Sequence, residues 1–346
     1  MVIHIKQKFE NILSKSKIDD KIKIIYDLNQ LKENISKLNV IREKYNIQFL
    51  FPVKAFPNTK ILTIFSKFNF GFDITNYNEY NLIKNLISDD TLISFNGYSI
   101  TKMLPKGTVF YTCQSLSQNN EYYNSIRINT NSINKKDFSR FGVSLSNLDK
   151  IDTEKFISLN IHYFSNNKYN DIKKILKLIN KALINCKNIK YINLGGNWDI
   201  NNLNEFEKIV NYFKKNISKD IKLIFEVGEN WFKDCGYLVT KVLDINYIDN
   251  KKIITILGSK ECNAKWSQLK LIYPESVKHT KISSISNISN IFVGNTCYEK
   301  DVLYFTKNNL DINIGDKLIF SELNGYSFAW ITSFNGIELP EVSFYE

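Results

Sequence analysis

Phe49-Leu50-Phe51-Pro52-Val53-Lys54-Ala55-Phe56-Pro57-Asn58 is an apolar, strand-like run with a single lysine inside it. Phe, Leu and Val on either side of Lys54 direct the run into the interior of a sheet or barrel. An ammonium buried without a partner is costly. A lysine that loses its proton and forms a Schiff base escapes that cost; one that snorkels to solvent from a strand end avoids it more simply. Similar runs lie on both sides: Ile22-Asp27, Gln48-Lys54, Phe70-Thr75, Leu92-Asn96, Thr108-Cys113, Ser125-Asn129, Phe156-His162, Tyr191-Gly195 and Leu223-Gly228. Stretches with helical periodicity fall between many of them, at Leu31-Leu38, Tyr77-Ile87, Asp171-Leu183 and Leu203-Phe213. Strand alternating with helix predicts a parallel sheet. The fold expected over residues 22–235 is a (β/α)8 barrel, with a doubly wound open sheet as the alternative. Nine candidate strands are one more than the barrel needs, and the pattern does not show which is the extra.

Beyond Gly236 the helical period fades. Short β runs follow at Tyr237-Ile245, Ile253-Leu257, Ile291-Val293, Val302-Phe305, Lys317-Phe320 and Phe328-Ile331. Residues 236–346, with 1–21, are expected to form a β domain. No apolar run approaches the ~18 residues of a membrane-spanning helix, and Met1 to Lys15 lacks the apolar centre of a signal peptide. The five cysteines (113, 186, 235, 262, 297) are scattered without the spacing of a zinc site or a disulfide framework, which favours a reducing cytoplasm and no metal. The net charge of +11 comes almost wholly from dispersed lysines; Arg42, Arg127 and Arg140 are the three arginines. Nucleic-acid sites cluster their basic residues and favour arginine, so the charge reads as a solvated surface.

Active sites of barrels sit at the C-terminal ends of the strands. The polar residues at those ends are Lys54, Asp73, Asn96, Arg127, His162, Gly195-Gly196 and Glu226. A lysine, an arginine, a histidine, two acids and a glycine pair on one rim suit a cofactor with an aldehyde, a phosphate and a ring nitrogen.

The motifs in this order resemble the fold-type III pyridoxal-phosphate enzymes, the ornithine and diaminopimelate decarboxylases and alanine racemase. They are Val53-Lys54-Ala55, Gly71-Phe72-Asp73-Ile74-Thr75-Asn76-Tyr77-Asn78-Glu79, Ser139-Arg140-Phe141-Gly142, Asn193-Leu194-Gly195-Gly196, Glu226-Val227-Gly228 and Gly294-Asn295-Thr296-Cys297 with Asp301. The resemblance implies an alanine-racemase-like barrel with a C-terminal β domain, and pyridoxal 5'-phosphate held by Lys54. It implies cofactor contacts from Asp73, Arg127, His162 stacked on the ring, Ser165, the phosphate loop at Gly195 and Gly196, and Tyr326. Glu226 would keep the pyridine nitrogen protonated and the ring a strong electron sink. The racemase branch carries arginine there, so Glu226 favours decarboxylation. Cys297 resembles the thiol that protonates the α-carbon, supplied in this family by the partner subunit, which implies a homodimer with shared active sites.

Two positions depart from the general pattern. Glu229 stands where many members have an arginine directed at the phosphate, and Tyr298 stands where ornithine decarboxylases have an aspartate for the distal amine. Both departures, with Thr332-Ser333-Phe334-Asn335-Gly336-Ile337-Glu338-Leu339-Pro340, resemble the carboxynorspermidine decarboxylase branch. That branch's acidic segments near the substrate are here His162-Tyr163-Phe164-Ser165-Asn166 and Glu261-Cys262-Asn263-Ala264-Lys265-Trp266. Glu229, Tyr298, Asp301 and Lys265 are the residues expected at the substrate. The lost acids and the gained Lys265 favour an acylated diamino acid such as N-citryl-ornithine, a siderophore precursor, over carboxynorspermidine or carboxyspermidine of polyamine synthesis. A catalytically dead regulator of the same fold and an amino-acid racemase are the alternatives; Lys54 and Cys297 speak against the first and Glu226 against the second.

Overall fold

The computed structural model describes residues 21–98, 100, 102–118, 120–133, 138–163, 168–232, 234–274, 288–308 and 310–346. The chain forms two compact units, Lys32–Trp231 and Phe232–Glu346 with the chain up to Leu31. The first described strand, β1 (Lys23–Asp27), belongs to the second unit. It was grouped with the barrel runs by sequence, and it is the extra one. It pairs antiparallel with β10 (Gly236–Ile248) and parallel with β16 (Glu341–Tyr345). All five of its residues are buried, so its composition is that of a barrel strand and only its ladder partners distinguish it.

The expected barrel is present and closed. Its strands are β2 (Gln48–Pro52), β3 (Gly71–Ile74), β4 (Leu92–Phe95), β5 (Thr108–Cys113), β6 (Ser125–Arg127), β7 (Ser158–Asn160), β8 (Tyr191–Asn193) and β9 (Lys222–Glu226). Each pairs in parallel with the next, and β9 closes on β2 through Leu50 and Glu226. Helices α1 (Leu28–Tyr45), α2 (Thr59–Lys67), α3 (Tyr77–Ile83), α4 (Lys168–Asn185) and α5 (Leu203–Asn216) alternate with the strands. The sequence reading lacks α2. Its start is set by Asn58, whose side chain accepts from the Lys60 and Ile61 N–H groups, and its apolar face buries Ile61, Leu62, Ile64 and Phe65.

An aromatic cluster packs this unit. Phe49 of β2 stacks on Phe70 at 5.5 Å, and Trp231 meets Phe49, Phe65 and Phe70 edge-on at 5.4–6.1 Å. The indole N–H of Trp231 donates to the Val227 carbonyl (2.7 Å), so its one polar atom is satisfied. Trp231→Ala should cost about 3–5 kcal/mol of stability through the cavity it leaves. Urea unfolding measures this, and a loss under about 1 kcal/mol would show that the cluster closes over the gap.

The second unit is a mixed sheet ordered β12–β15–β10–β11–β13–β14, with β1 and β16 attached through β10. Its other strands are β11 (Lys251–Ile256), β12 (Lys270–Tyr273), β13 (Asn290–Val293), β14 (Val302–Thr306) and β15 (Lys317–Ser321). Gly236 begins β10 where a Cβ would stand 1.9 Å from the Leu323 carbonyl oxygen, an approach only glycine permits. The expected strand Phe328-Ile331 is not one. Asn324 accepts from the Ser327 N–H and starts a short helix, α7 (Gly325–Ala329), after α6 (Lys260–Asn263); a short aromatic run carries no period that separates the two states. No helix among the described residues is long and apolar enough to cross a membrane.

Candidate active site

The functional rim of the barrel begins where β2 ends. Pro52 closes the strand, and Val53–Ala55 turn into a single 3-10 turn, held by the Phe56 N–H on the Val53 carbonyl (3.1 Å). Lys54 therefore stands just past the strand rather than inside it. It keeps 45% of its side chain exposed and donates to Asp73 Oδ2, while Asp73 is wholly buried. Lys54 is the strand-end lysine expected on the rim, and it reaches a buried acid.

Asp73 is fixed from below and beside. It shares a register with Ser94 of β4, and its other oxygen accepts from Asn96 Nδ2 (2.6 Å). The chain beyond β3 is locked by Glu79, whose Oε2 accepts from the Thr75 N–H (2.6 Å) and hydroxyl (3.0 Å), while Asn76 caps α3 by accepting from the Glu79 N–H. Burial raises the proton affinity of Glu79 despite those bonds.

On the other side, Glu226 ends β9. It is buried, and Oε1 accepts from Asn193 Nδ2 (2.6 Å). Its pKa is raised from 4.5 to about 7, first by burial and then by the charge on Asp73, against the opposing effects of Lys54, the Asn193 N–H and Arg127. The group is thus poised between its acid and its carboxylate near neutrality. Arg127 lies in the field of both acids. Its pKa is lowered by burial and supported by Glu226 and Asp73. Its Nη1 donates to Gln114 Oε1 (3.5 Å), and its guanidinium lies 4.7 Å from the Phe141 ring centroid, which Arg140 approaches at 4.4 Å.

The glycine pair packs against these groups. Gly195 has φ +65, and a Cβ there would stand 2.8 Å from His162 Cα and Cδ2; one on Gly196 would stand 2.8 Å from the Glu226 carbonyl oxygen. Only glycines let the β8 loop pass so close. The Gly195 N–H donates to Asn193 Oδ1 (2.9 Å) and ties the loop to the end of β8. The Trp198 indole N–H donates to the Leu194 and Gly195 carbonyls (3.2 and 3.0 Å) and holds the loop from behind.

One rim of the barrel therefore brings together Lys54, Asp73, Asn96, Arg127, His162, Gly195, Gly196 and Glu226 as the sequence placed them. Glu229 is exposed at the start of a 3-10 turn, Glu229–Trp231, beyond β9. Ser165 lies outside the described residues. Ser94 and Gln114 stand outside the sequence motifs; a small polar residue of this kind carries no sequence signal apart from the register that places it.

Tyr326, Lys265, Cys297, Tyr298 and Asp301 belong to the second unit. Tyr326 lies in α7 and is half-buried. Cys297 and Tyr298 are exposed, and the Cys297 N–H donates to Asn335 Oδ1 (2.8 Å). Asp301, expected at a substrate, has a different task. It is buried, and its two oxygens accept from the Thr296 hydroxyl (2.6 Å) and the Lys260 N–H (2.8 Å), clamping the Gly294–Cys297 loop to α6. Lys265 stands 5.9 and 5.4 Å from the Trp266 and Trp330 ring centroids, with Glu261 at 3.8 Å.

The rim fits a group with an aldehyde and a basic ring nitrogen. It offers an accessible amine, a buried carboxyl, a loop pressed close by two glycines, and a buried acceptor, Asn96 Oδ1, with no hydrogen-bond partner among the described residues.

No family model matches the chain. Among curated proteins it is 26% identical over 219 residues to the carboxynorspermidine/carboxyspermidine decarboxylase of Campylobacter jejuni, covering 59% of this chain and 57% of that protein. It is 27% identical over 157 residues to the 2-[(L-alanin-3-ylcarbamoyl)methyl]-2-hydroxybutanedioate decarboxylase of Staphylococcus aureus, covering 41% and 39%. The matched stretches thus span about half or less of those relatives' own lengths. Among solved structures, carboxynorspermidine decarboxylase from C. jejuni with norspermidine superposes with a TM-score of 0.73, 19% identity and 93% of both chains covered. Diaminopimelate decarboxylase from Helicobacter pylori with L-lysine gives 0.74, 17%, and 98% and 94%. The chain therefore has the barrel-and-sheet fold of the alanine-racemase-like decarboxylases and is related in sequence to carboxynorspermidine decarboxylase.

Proposed function

We propose that this chain is a pyridoxal 5'-phosphate-dependent decarboxylase that removes the α-carboxylate of a substituted diamino acid in the cytoplasm. The observation that carries the reading is the pairing, on one rim, of the accessible Lys54 amine on Asp73 with the buried Glu226 carboxyl. When bound, the cofactor supplies a sink for the electron pair left by departing CO2. Lys54 would anchor it, and Asp73 holds the lysine in place. Glu226 would hold a proton against the ring nitrogen, and Asn193 on Oε1 fixes the direction in which it does so. His162 lies along the glycine loop, where its ring can cover one face of a flat group. Arg127 adds a second positive charge, beside Lys54, in the field of the two acids.

The names of the relatives bear on the substrate. One acts on carboxynorspermidine or carboxyspermidine. The other is named for an L-alanin-3-yl amide of a hydroxybutanedioate, an acylated diamino acid rich in carboxylates. The test reconstitutes the protein with pyridoxal phosphate and follows CO2 release from carboxyl-labelled diamino acids of both kinds. Racemisation without CO2 release, or no cofactor uptake, would overturn the reading.

The proton donor to the α-carbon is assigned to Cys297, acting in the site of the partner subunit of a homodimer. Its exposure leaves the thiol open to such a role. Cys297→Ala should retain the cofactor and lose most turnover. Mixed with Lys54→Ala, it should regain about a quarter of wild-type activity, because half the dimers are hybrids and each hybrid has one intact site. Proven hybrids without recovery would place the thiol in its own subunit's site.

A further inference from the structure

We propose that Ser94 is a positioning residue that ties the Lys54–Asp73 pair to Glu226 across the diameter of the barrel. Strands β4 and β8 are four places apart in a closed ring of eight and so face each other. Ser94 on β4 and Asn193 on β8 nevertheless meet, Asn193 Nδ2 donating to Ser94 Oγ at 3.4 Å. Asn96 Nδ2 donates to the same oxygen at 2.9 Å.

The arrangement uses both N–H groups of each amide. An Asn NH2 has two N–H groups. Asn96 gives one to Asp73 and one to Ser94, and Asn193 gives one to Glu226 and one to Ser94. The Gly195 N–H donates to Asn193 Oδ1, which turns the Asn193 nitrogen toward Glu226 and Ser94, and Ser94 Oγ is the acceptor that both amides share. Ser94, Asn193, Asp73 and Glu226 are all buried, so no bulk water substitutes for the serine oxygen. An apolar side chain at this position would leave two buried N–H groups without an acceptor.

The charged and titratable groups around Glu226 are Asp73, Lys54 and Arg127, with His162 beside the adjoining Gly196. The Asn193 N–H favours the ionised form of Glu226. Without Ser94 that amide keeps Glu226 and the Gly195 N–H but loses the acceptor of its other N–H, so it is held less firmly toward Glu226, whose proton affinity should rise further.

The test uses the apoprotein and reads the chain's own side chains, so it stands or falls separately from the decarboxylase reading. Urea unfolding is followed from pH 4.5 to 8.5 for wild type, Ser94→Ala and Ser94→Thr, each beside its own Glu226→Gln version. The difference within each pair isolates residue 226. A folded-state pKa raised above the unfolded value means that the contribution of Glu226 is fully present in acid and is lost as pH rises from 4.5 to about 7. In Ser94→Ala the pH at which this loss levels off should move up by about 0.5–1 unit. In Ser94→Thr, which keeps the hydroxyl, it should stay at the wild-type position. Ser94→Ala levelling off where wild type does, or Ser94→Thr moving as far as Ser94→Ala, would overturn the proposal. If Ser94→Ala does not fold, Ser94→Cys is read in its place: its thiol is a weak acceptor and should shift the curve in the same direction, and an unshifted curve overturns the proposal equally.

Discussion

Lys54→Ala should fold and should be without turnover, its rate falling on the order of 10⁴-fold or more. Folding should survive because the lysine stands on a 3-10 turn past the strand end with nearly half its side chain in solvent, and its apolar neighbours Val53, Ala55 and Phe56 are buried without it. The cost falls on Asp73. That acid is wholly buried and, among the described residues, keeps Asn96 as its partner once the ammonium is gone. The loss of Lys54 also removes one of the charges that favour ionised Glu226, so the carboxyl should hold its proton to still higher pH. Reduction with borohydride followed by peptide mapping checks the assignment directly. In the wild type the cofactor should be fixed to the peptide spanning Lys54, and in the mutant to no peptide. A mutant that still carries lysine-linked cofactor would move the anchor to another residue.

Much of this site could be read from the sequence because the barrel rule turns strand ends into a single place. Once the strand runs are recognised, Lys54, Asp73, Asn96, Arg127, His162 and Glu226 fall on one rim without knowledge of any contact. The links between them were not legible. Ser94 and Asn193 lie 99 residues apart, and the closure of the ring brings them together. Closure depends on which strand is left out. Lys23–Asp27 has the composition of a barrel strand, and only its ladders to Gly236–Val239 and Glu341–Tyr345 place it elsewhere. Asp301 shows a related limit. Its position after a Gly-Asn-Thr-Cys motif points to a substrate, whereas its bonds to Thr296 and the Lys260 N–H make it a loop clamp. A motif marks a location, and the hydrogen bonds decide the task performed there.

The substrate should be an acylated diamino acid with a carboxylate-bearing tail, preferred over carboxynorspermidine by about 30-fold to several thousand-fold in kcat/KM. The argument rests on charge. Carboxynorspermidine carries extra ammonium groups. By the resemblance to the polyamine branch, the acids expected to serve such a tail are replaced in this sequence, and Lys265 is expected among the replacements. Its counter-charge among the described residues, Glu261, is 3.8 Å away and about one-third exposed, which screens the pair. The rings of Trp266 and Trp330 flank its ammonium and hold it without neutralising it. A matched charge pair in a site desolvated by its ligand is worth about 2–5 kcal/mol, which gives the range above. Glu229 opposes the trend, since it is exposed and able to meet an amine. The comparison is of catalytic efficiency on carboxynorspermidine, ornithine and N-citryl-ornithine, with wild type and with Lys265→Glu. The charge reversal should lower efficiency on the citryl compound and raise it on carboxynorspermidine. Efficient turnover of carboxynorspermidine by the wild type, with none of the citryl compound, would return the chain to a polyamine role.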